Sequence, residues 1–124
     1  MNQLVAIAIG GAFGALLRFL VSTGIYDLMG RNFPYGTLFV NILGSLLMGF
    51  LSVILLEYAA SVEWRAALLI GFLGAFTTFS TFSIETLNLL LQGEVIKGLL
   101  NALLSVILCV VATWIGLLLA KYLS

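Results

Sequence analysis

The chain has 124 residues, 63% of them hydrophobic and 8% charged, with five basic and five acidic side chains, no histidine and one cysteine. A mean hydropathy of +1.26 lies far outside the balance of a water-soluble domain, so the sequence reads as an integral membrane protein. Zero net charge without a basic cluster gives nucleic acid no electrostatic footing, and a lone cysteine without histidine speaks against an intrachain disulfide framework or a transition-metal site.

The charges punctuate the chain. Residues 32 to 56 and 98 to 120 carry none, whereas residues 3 to 26 and 66 to 92 carry one each, Arg18 and Glu85. Each stretch exceeds the about 20 residues that a helix needs to cross a bilayer. The pattern predicts an all-α protein with a single transmembrane domain over residues 1–124, its four helices at about 3–26, 33–56, 66–92 and 95–122. The connections, around Asp27 to Phe33, Glu57 to Trp64 and Gln92 to Glu94, are short and leave no room for a soluble domain. The first stretch lacks a basic leader and is longer than the about 7 to 15 apolar residues of a signal peptide, so it reads as a retained helix.

In the first helix Gly11, Gly14 or Ala15, Arg18 and Ser22 recur at three- and four-residue spacing, and Gly10 with Gly14 forms a GxxxG that allows close backbone approach. The second begins at Phe33-Pro34, where proline suits the first turn, and aligns Thr37, Asn41, Ser45, Met48 and Ser52 on one stripe. Asn41 brings two donors and two acceptors into hydrocarbon and must face protein, water or an ion. The other members of the stripe are explained as well by packing, where an interhelical hydrogen bond contributes about 0.6 kcal/mol.

The third helix reads Gly71-Phe-Leu-Gly74-Ala-Phe-Thr77-Thr78-Phe79-Ser80-Thr81-Phe82-Ser83-Ile-Glu85. Two glycines followed by consecutive threonines at mid-span suggest a broken helix whose freed carbonyls find partners in protein or at an ion. A continuous helix with hydroxyls bonded back to preceding carbonyls is the alternative. The fourth helix aligns Asn101, Ser105, Cys109, Ala112 and Gly116, with Trp114 and Tyr122 as aromatic surface.

Arg31 and Lys97 fall at one end of the bundle, and Arg65 and Lys121 at the other. Because orientation follows the Lys/Arg bias of short loops, this tie leaves insertion barely specified. Both orientations pairing antiparallel, or a tie broken by Arg18 or the α-amino group, fit it equally.

Three segments then become recognisable: Gly10-Gly-Ala-Phe-Gly-Ala-Leu-Leu-Arg18, Gly36-Thr37-Leu-Phe-Val-Asn41-Ile-Leu-Gly44, and the third-helix run from Gly71 to Glu85. Together they resemble the CrcB/Fluc family of fluoride channels over essentially the whole chain. The resemblance implies an antiparallel, dual-topology homodimer in the cell (inner) membrane, with multi-pass subunits and two fluoride pores. These export fluoride from the cytoplasm down its electrochemical gradient and reduce its toxicity. It implies further that Phe79 and Phe82 line the pore with Asn41, that Ser80, Thr81 and Ser105 lie along it, and that Gly74 and Thr77 carbonyls of both subunits hold a structural sodium ion at the dimer centre. The chain departs from the family's pattern at Asn101 and Cys109 on the fourth helix, where tyrosine and serine are frequent, and at Ala75, where a second glycine is usual.

Fluoride is small and strongly hydrated, so a path for it must exchange water for several weak donors and still let the ion leave. Phenylalanine edges are positive, and the Asn41 amide, the hydroxyls of Ser80, Thr81 and Ser105, and Asn101 are candidate neutral donors. A charge such as that of Arg18 costs roughly 2.5 to 3.5 kcal/mol at the centre of a membrane helix. It is expected in an aqueous vestibule drawing anions inward, or paired with Glu85. Glu85 itself is expected near the pore end. The rival reading is a small dual-topology multidrug or proton-coupled transporter, which would look for a carboxylate in the first helix, where this chain has Arg18. No constellation of catalytic groups points to an enzyme.

Overall fold

The structure, a computed structural model, describes residues 2–124. Helix α1 (Gln3–Met29) starts where Asn2 Oδ1 accepts the Val5 N–H at 2.9 Å. It ends at Gly30, whose φ of +89° carries the chain out of the helix while its N–H bonds the Tyr26 carbonyl. The helix therefore runs past Asp27, where the charge pattern placed its end, because a charge at a helix terminus does not stop it and a left-handed glycine does. Helix α2 (Tyr35–Glu57) follows, with Pro34 immediately before it rather than in its first turn.

The third span, Val62–Leu91, is two helices. Helix α3 (residues 62–76) begins four residues earlier than its hydrophobic run, because Ser61 Oγ accepts the Trp64 N–H at 3.2 Å and Glu63 sits in the first turn. It winds as a π-helix over Ala66–Leu73 and closes with Gly74–Phe76. Thr77 (φ −89°, ψ 161°) and Thr78 (φ −151°, ψ 118°) are extended. Helix α4 (Phe79–Leu91) resumes the span, and α5 (Val95–Leu123) forms the fourth. All four spans are long and apolar enough to cross a membrane, and the chain is a multi-pass membrane protein.

Packing rests on small residues. A Cβ on Gly10 or Gly14 would strike the backbone of Ala67 or Phe72, so α1 lies directly against the π-helical part of α3. On the other side, Gly49 faces the Thr113 carbonyl and Gly116 faces the Leu46 carbonyl, which brings α2 and α5 into backbone contact. The buried apolar set is rich in alanine, with Ala6, Ala66, Ala112 and Ala120 beside Val40, Leu73 and the larger Tyr26, Phe33 and Phe76, while Leu4, Phe13 and Leu103 are exposed. Surface of that kind is stable against lipid tails, which solvate leucine as well as a protein core does. At one end, Lys97 Nζ donates to the Asn32 carbonyl at 3.3 Å, so the α1–α2 connection and the start of α5 lie together.

Candidate functional site

The break is organised by two side chains that share a residue. Thr77 finishes α3 by giving both its N–H and its hydroxyl to the Leu73 carbonyl, at 3.1 and 3.0 Å. In an unbroken helix the Thr78 N–H would go to the Gly74 carbonyl. Here it goes across to Asn41 Oδ1 at 2.8 Å, and Asn41 Nδ2 returns a bond to the Thr78 carbonyl at 3.0 Å. The amide of Asn41 thus pairs reciprocally with the backbone of the broken segment, as a strand neighbour would. Thr78 then caps α4: its Oγ1 accepts the Thr81 N–H at 3.1 Å and donates to Thr81 Oγ1 at 3.0 Å.

Two cavities open on either side of Thr78. The first, about 340 Å³, is lined by Asn41, Ser45, Thr77, Phe79, Phe82, Ser105 and Cys109. The Phe79 and Phe82 rings lie 5.3 Å apart, tilted by 40°. Ser105 is 9% exposed, and its Oγ is buried without a hydrogen-bond partner in the protein. The second cavity, about 210 Å³, is lined by Arg18, Ser22, Thr37 and Thr81, with Thr78 between the two.

The residues singled out in the sequence are thereby divided. Asn41, Thr77, Phe79, Phe82 and Ser105 meet in one cavity, and Arg18 and Thr81 in its neighbour. Ser80 lines neither, being exposed with its hydroxyl 3.3 Å from Thr78 Oγ1. Gly74 is also exposed, outside both cavities. Asn101, a candidate donor along the route, lines neither cavity. It is 2% exposed and gives Nδ2 to Thr86 Oγ1 at 2.8 Å, which ties α5 to α4.

Glu85 belongs to a separate network near the end of the bundle. Tyr26 donates its hydroxyl proton to Glu85 Oε2 at 2.5 Å. That proton being committed, Thr37 Oγ1 is the donor in its 3.2 Å contact with the Tyr26 oxygen. The Arg31 guanidinium stacks 4.7 Å over the Tyr26 ring. Glu85 Oε1 is buried without a protein partner. Arg18 does not pair with Glu85; among the described residues the ion pair is Lys97 with Glu94, at 3.9 Å. Tyr26 carried no functional signal in the sequence, since Glu85 lies 59 residues away and no local spacing links them.

A four-span protein with one span broken at mid-depth, and cavities beside the break that hold a few polar groups among apolar ones, is built as a membrane transport protein. The particular relationship follows from comparison with known proteins: the family profile of the CrcB-like protein, described as Camphor Resistance (CrcB), matches residues 5–117, and the chain belongs to that family. It is 59% identical over 123 residues to a Methylococcus capsulatus protein, covering 98% of this chain and 54% of the relative. It thus spans about half of that relative's length. It is 49% identical over 116 residues to one from Hydrogenovibrio crunogenus, covering 93% of this chain and 88% of the relative. It is also 49% identical over 124 residues to one from Geobacter sulfurreducens, covering 99% and 100%. Each of the three is named fluoride-specific ion channel FluC. The relatives are ion channels and not enzymes.

Proposed function

We propose that this protein is a fluoride channel of the cell (inner) membrane, passing fluoride out of the cytoplasm down its electrochemical gradient and so limiting its toxicity. The observation that carries the reading is the cavity at the α3–α4 break, where two phenylalanines and a buried, unpartnered serine hydroxyl converge. The names of the relatives agree with it.

The donors suit an anion that must enter and leave. Ser105 Oγ has no protein acceptor, so its proton is free for an ion. Asn41 uses one N–H on Thr78, which leaves the second to face the cavity that it lines. Phe79 and Phe82 offer positive ring edges, and the N-terminus of α4 adds the positive end of a helix dipole. All of these are neutral groups, weak enough one by one to release the ion. Arg18, in the adjoining cavity with Ser22 and Thr81, serves as a vestibule charge that raises the local anion concentration. Ser80 contributes from the cap of α4.

The same reading includes an antiparallel homodimer of dual topology with a structural sodium ion at its centre. Phe79 is 79% exposed on the single chain, a ring that a second copy would enclose. The diversion of the Thr78 N–H to Asn41 leaves the Gly74 carbonyl without its helical donor. The space around Gly74 is open, the nearest atom to an added Cβ being the Leu69 carbonyl oxygen at 3.9 Å. Unpaired carbonyls at Gly74 and Thr77 fit a hard cation, which prefers oxygen ligands. Bound there, sodium would be held by the Gly74 and Thr77 carbonyl oxygens and would offset their partial negative charge.

The test is fluoride efflux from liposomes carrying the purified chain, followed with a fluoride electrode against chloride. Wild type is expected to release fluoride and retain chloride, and Phe79→Ile and Phe82→Ile to abolish release. Unchanged efflux in both variants would remove the pore assignment. Efflux that depends on an imposed proton gradient would replace the channel by a coupled transporter built on Glu85.

A further inference from the structure

Ser105 and Cys109 stand four residues apart on α5, one turn of helix, and so share a face. Both line the cavity at the break. Two features mark that face as able to take a ligand other than a protein group. Ser105 is more than nine-tenths buried, yet its Oγ has no partner. Cys109 is a free, half-buried thiol, and it is the chain's single cysteine. The backbone at this point is held by the Thr113 hydroxyl, which donates to the Cys109 carbonyl at 3.0 Å. Ser45 and Asn41 of α2 line the same cavity, together with Phe79 and Phe82 from α4.

We infer that Cys109 is a binding site for soft, thiol-seeking metal cations, and that an ion held there plugs the cavity between Ser105 and the phenylalanine pair. This inference rests on the fluoride-path reading for its effect on conduction, but not for the binding itself. A cysteine sulfur is the softest ligand the cavity offers, and soft cations select sulfur over the oxygen and nitrogen donors around it. The cavity of about 340 Å³ is roughly ten times the volume share of one water, ample for a monovalent organomercurial. In the reaction with methylmercury chloride the S–H and Hg–Cl bonds break, an S–Hg bond forms and chloride leaves as the free ion. The proton passes to water, and no electron is transferred. Mercury completes its linear pair of ligands with the methyl group and the Cys109 sulfur, so one thiol suffices. The hydroxyl of Ser105, one turn away, is a secondary contact. A chain with serine in place of Cys109 would lack the soft ligand and the block with it.

The experiment uses full-length protein in liposomes treated with methylmercury chloride, with two independent readouts. Intact mass is expected to show one adduct per chain. Fluoride efflux is expected to fall to the rate of protein-free vesicles, and dithiothreitol to reverse both. Cys109→Ser is expected to take no adduct and to keep its own efflux rate, whatever that rate is, after treatment. An adduct that forms only once the protein is denatured would overturn the site, and an adduct with unchanged wild-type efflux would overturn the plug. Untreated wild type that conducts no fluoride would instead strike the proposed function, while the mass measurement still decides whether Cys109 binds the metal.

Discussion

The seam between α2 and α5 and the break between α3 and α4 solve opposite problems in one bundle. At the seam, Gly49 and Gly116 let two intact helices touch through their backbones, and there is no room for one added carbon. At the break, the helix stops, and the groups it frees are taken over by side chains: Asn41 for Thr78, and Thr78 for the first turn of α4. Without water to satisfy backbone groups, a membrane protein can leave the helical pattern only where such substitutes exist. The seam therefore supplies rigidity, and the break supplies a mostly apolar cavity with a few polar groups, which a seam could never contain.

The sharpest separation of the two should come from glycine substitutions. Gly116→Val drives a side chain into the Leu46 carbonyl, and loss of monodisperse, folded protein on size exclusion in detergent is expected. Gly74→Ala, by contrast, meets only the Leu69 carbonyl oxygen at 3.9 Å. Its unfolding midpoint should be unchanged or raised, since alanine is the better helix former. A folded Gly116→Val protein would show that the seam has slack.

A smaller effect is expected at the break. Asn41→Ala strands the Thr78 N–H and carbonyl, with an expected loss of about 3 kcal/mol from the unmet groups, measured by reversible unfolding in mixed micelles. Stability equal to wild type would mean that water enters the cavity and replaces the amide. Below this comes Tyr26→Phe, which withdraws the proton given to Glu85. The neighbouring cavity, lined also by Arg31, Asn88 and Gln92, offers room for water to compensate, so about 1 kcal/mol is expected in the same assay. The smallest is Lys97→Ala. Its contact with Glu94 is 3.9 Å long, with the two side chains 38% and 49% exposed, and the expected change is below about 1 kcal/mol.

The four spans were legible because hydrocarbon imposes a length and an apolar composition that nothing else in a sequence imitates. The ends were less so. Gly30 and Ser61, which set the end of α1 and the start of α3, act through φ and through a cap, and hydropathy is blind to both. The break was legible as a cluster of glycines and hydroxyls, but the π-helical winding of Ala66–Leu73 left no mark in the residues. The stripe drawn along α2 from Thr37 to Ser52 missed Gly49, the residue through which α5 packs, because a single glycine between larger residues announces nothing until its neighbour is known.

By itself the sequence determined a membrane protein of four spans, a weak point in the third, and the residue types from which an anion path could be made. Tertiary structure alone decided that Asn41 is spent partly on Thr78, that Asn101 ties two helices and lines neither cavity beside the break, and that Glu85 is bonded to Tyr26 rather than to Arg18. The division has a physical cause: burial in lipid depends on composition, which is local, whereas the partner of a buried polar group is set by which helices pass beside it.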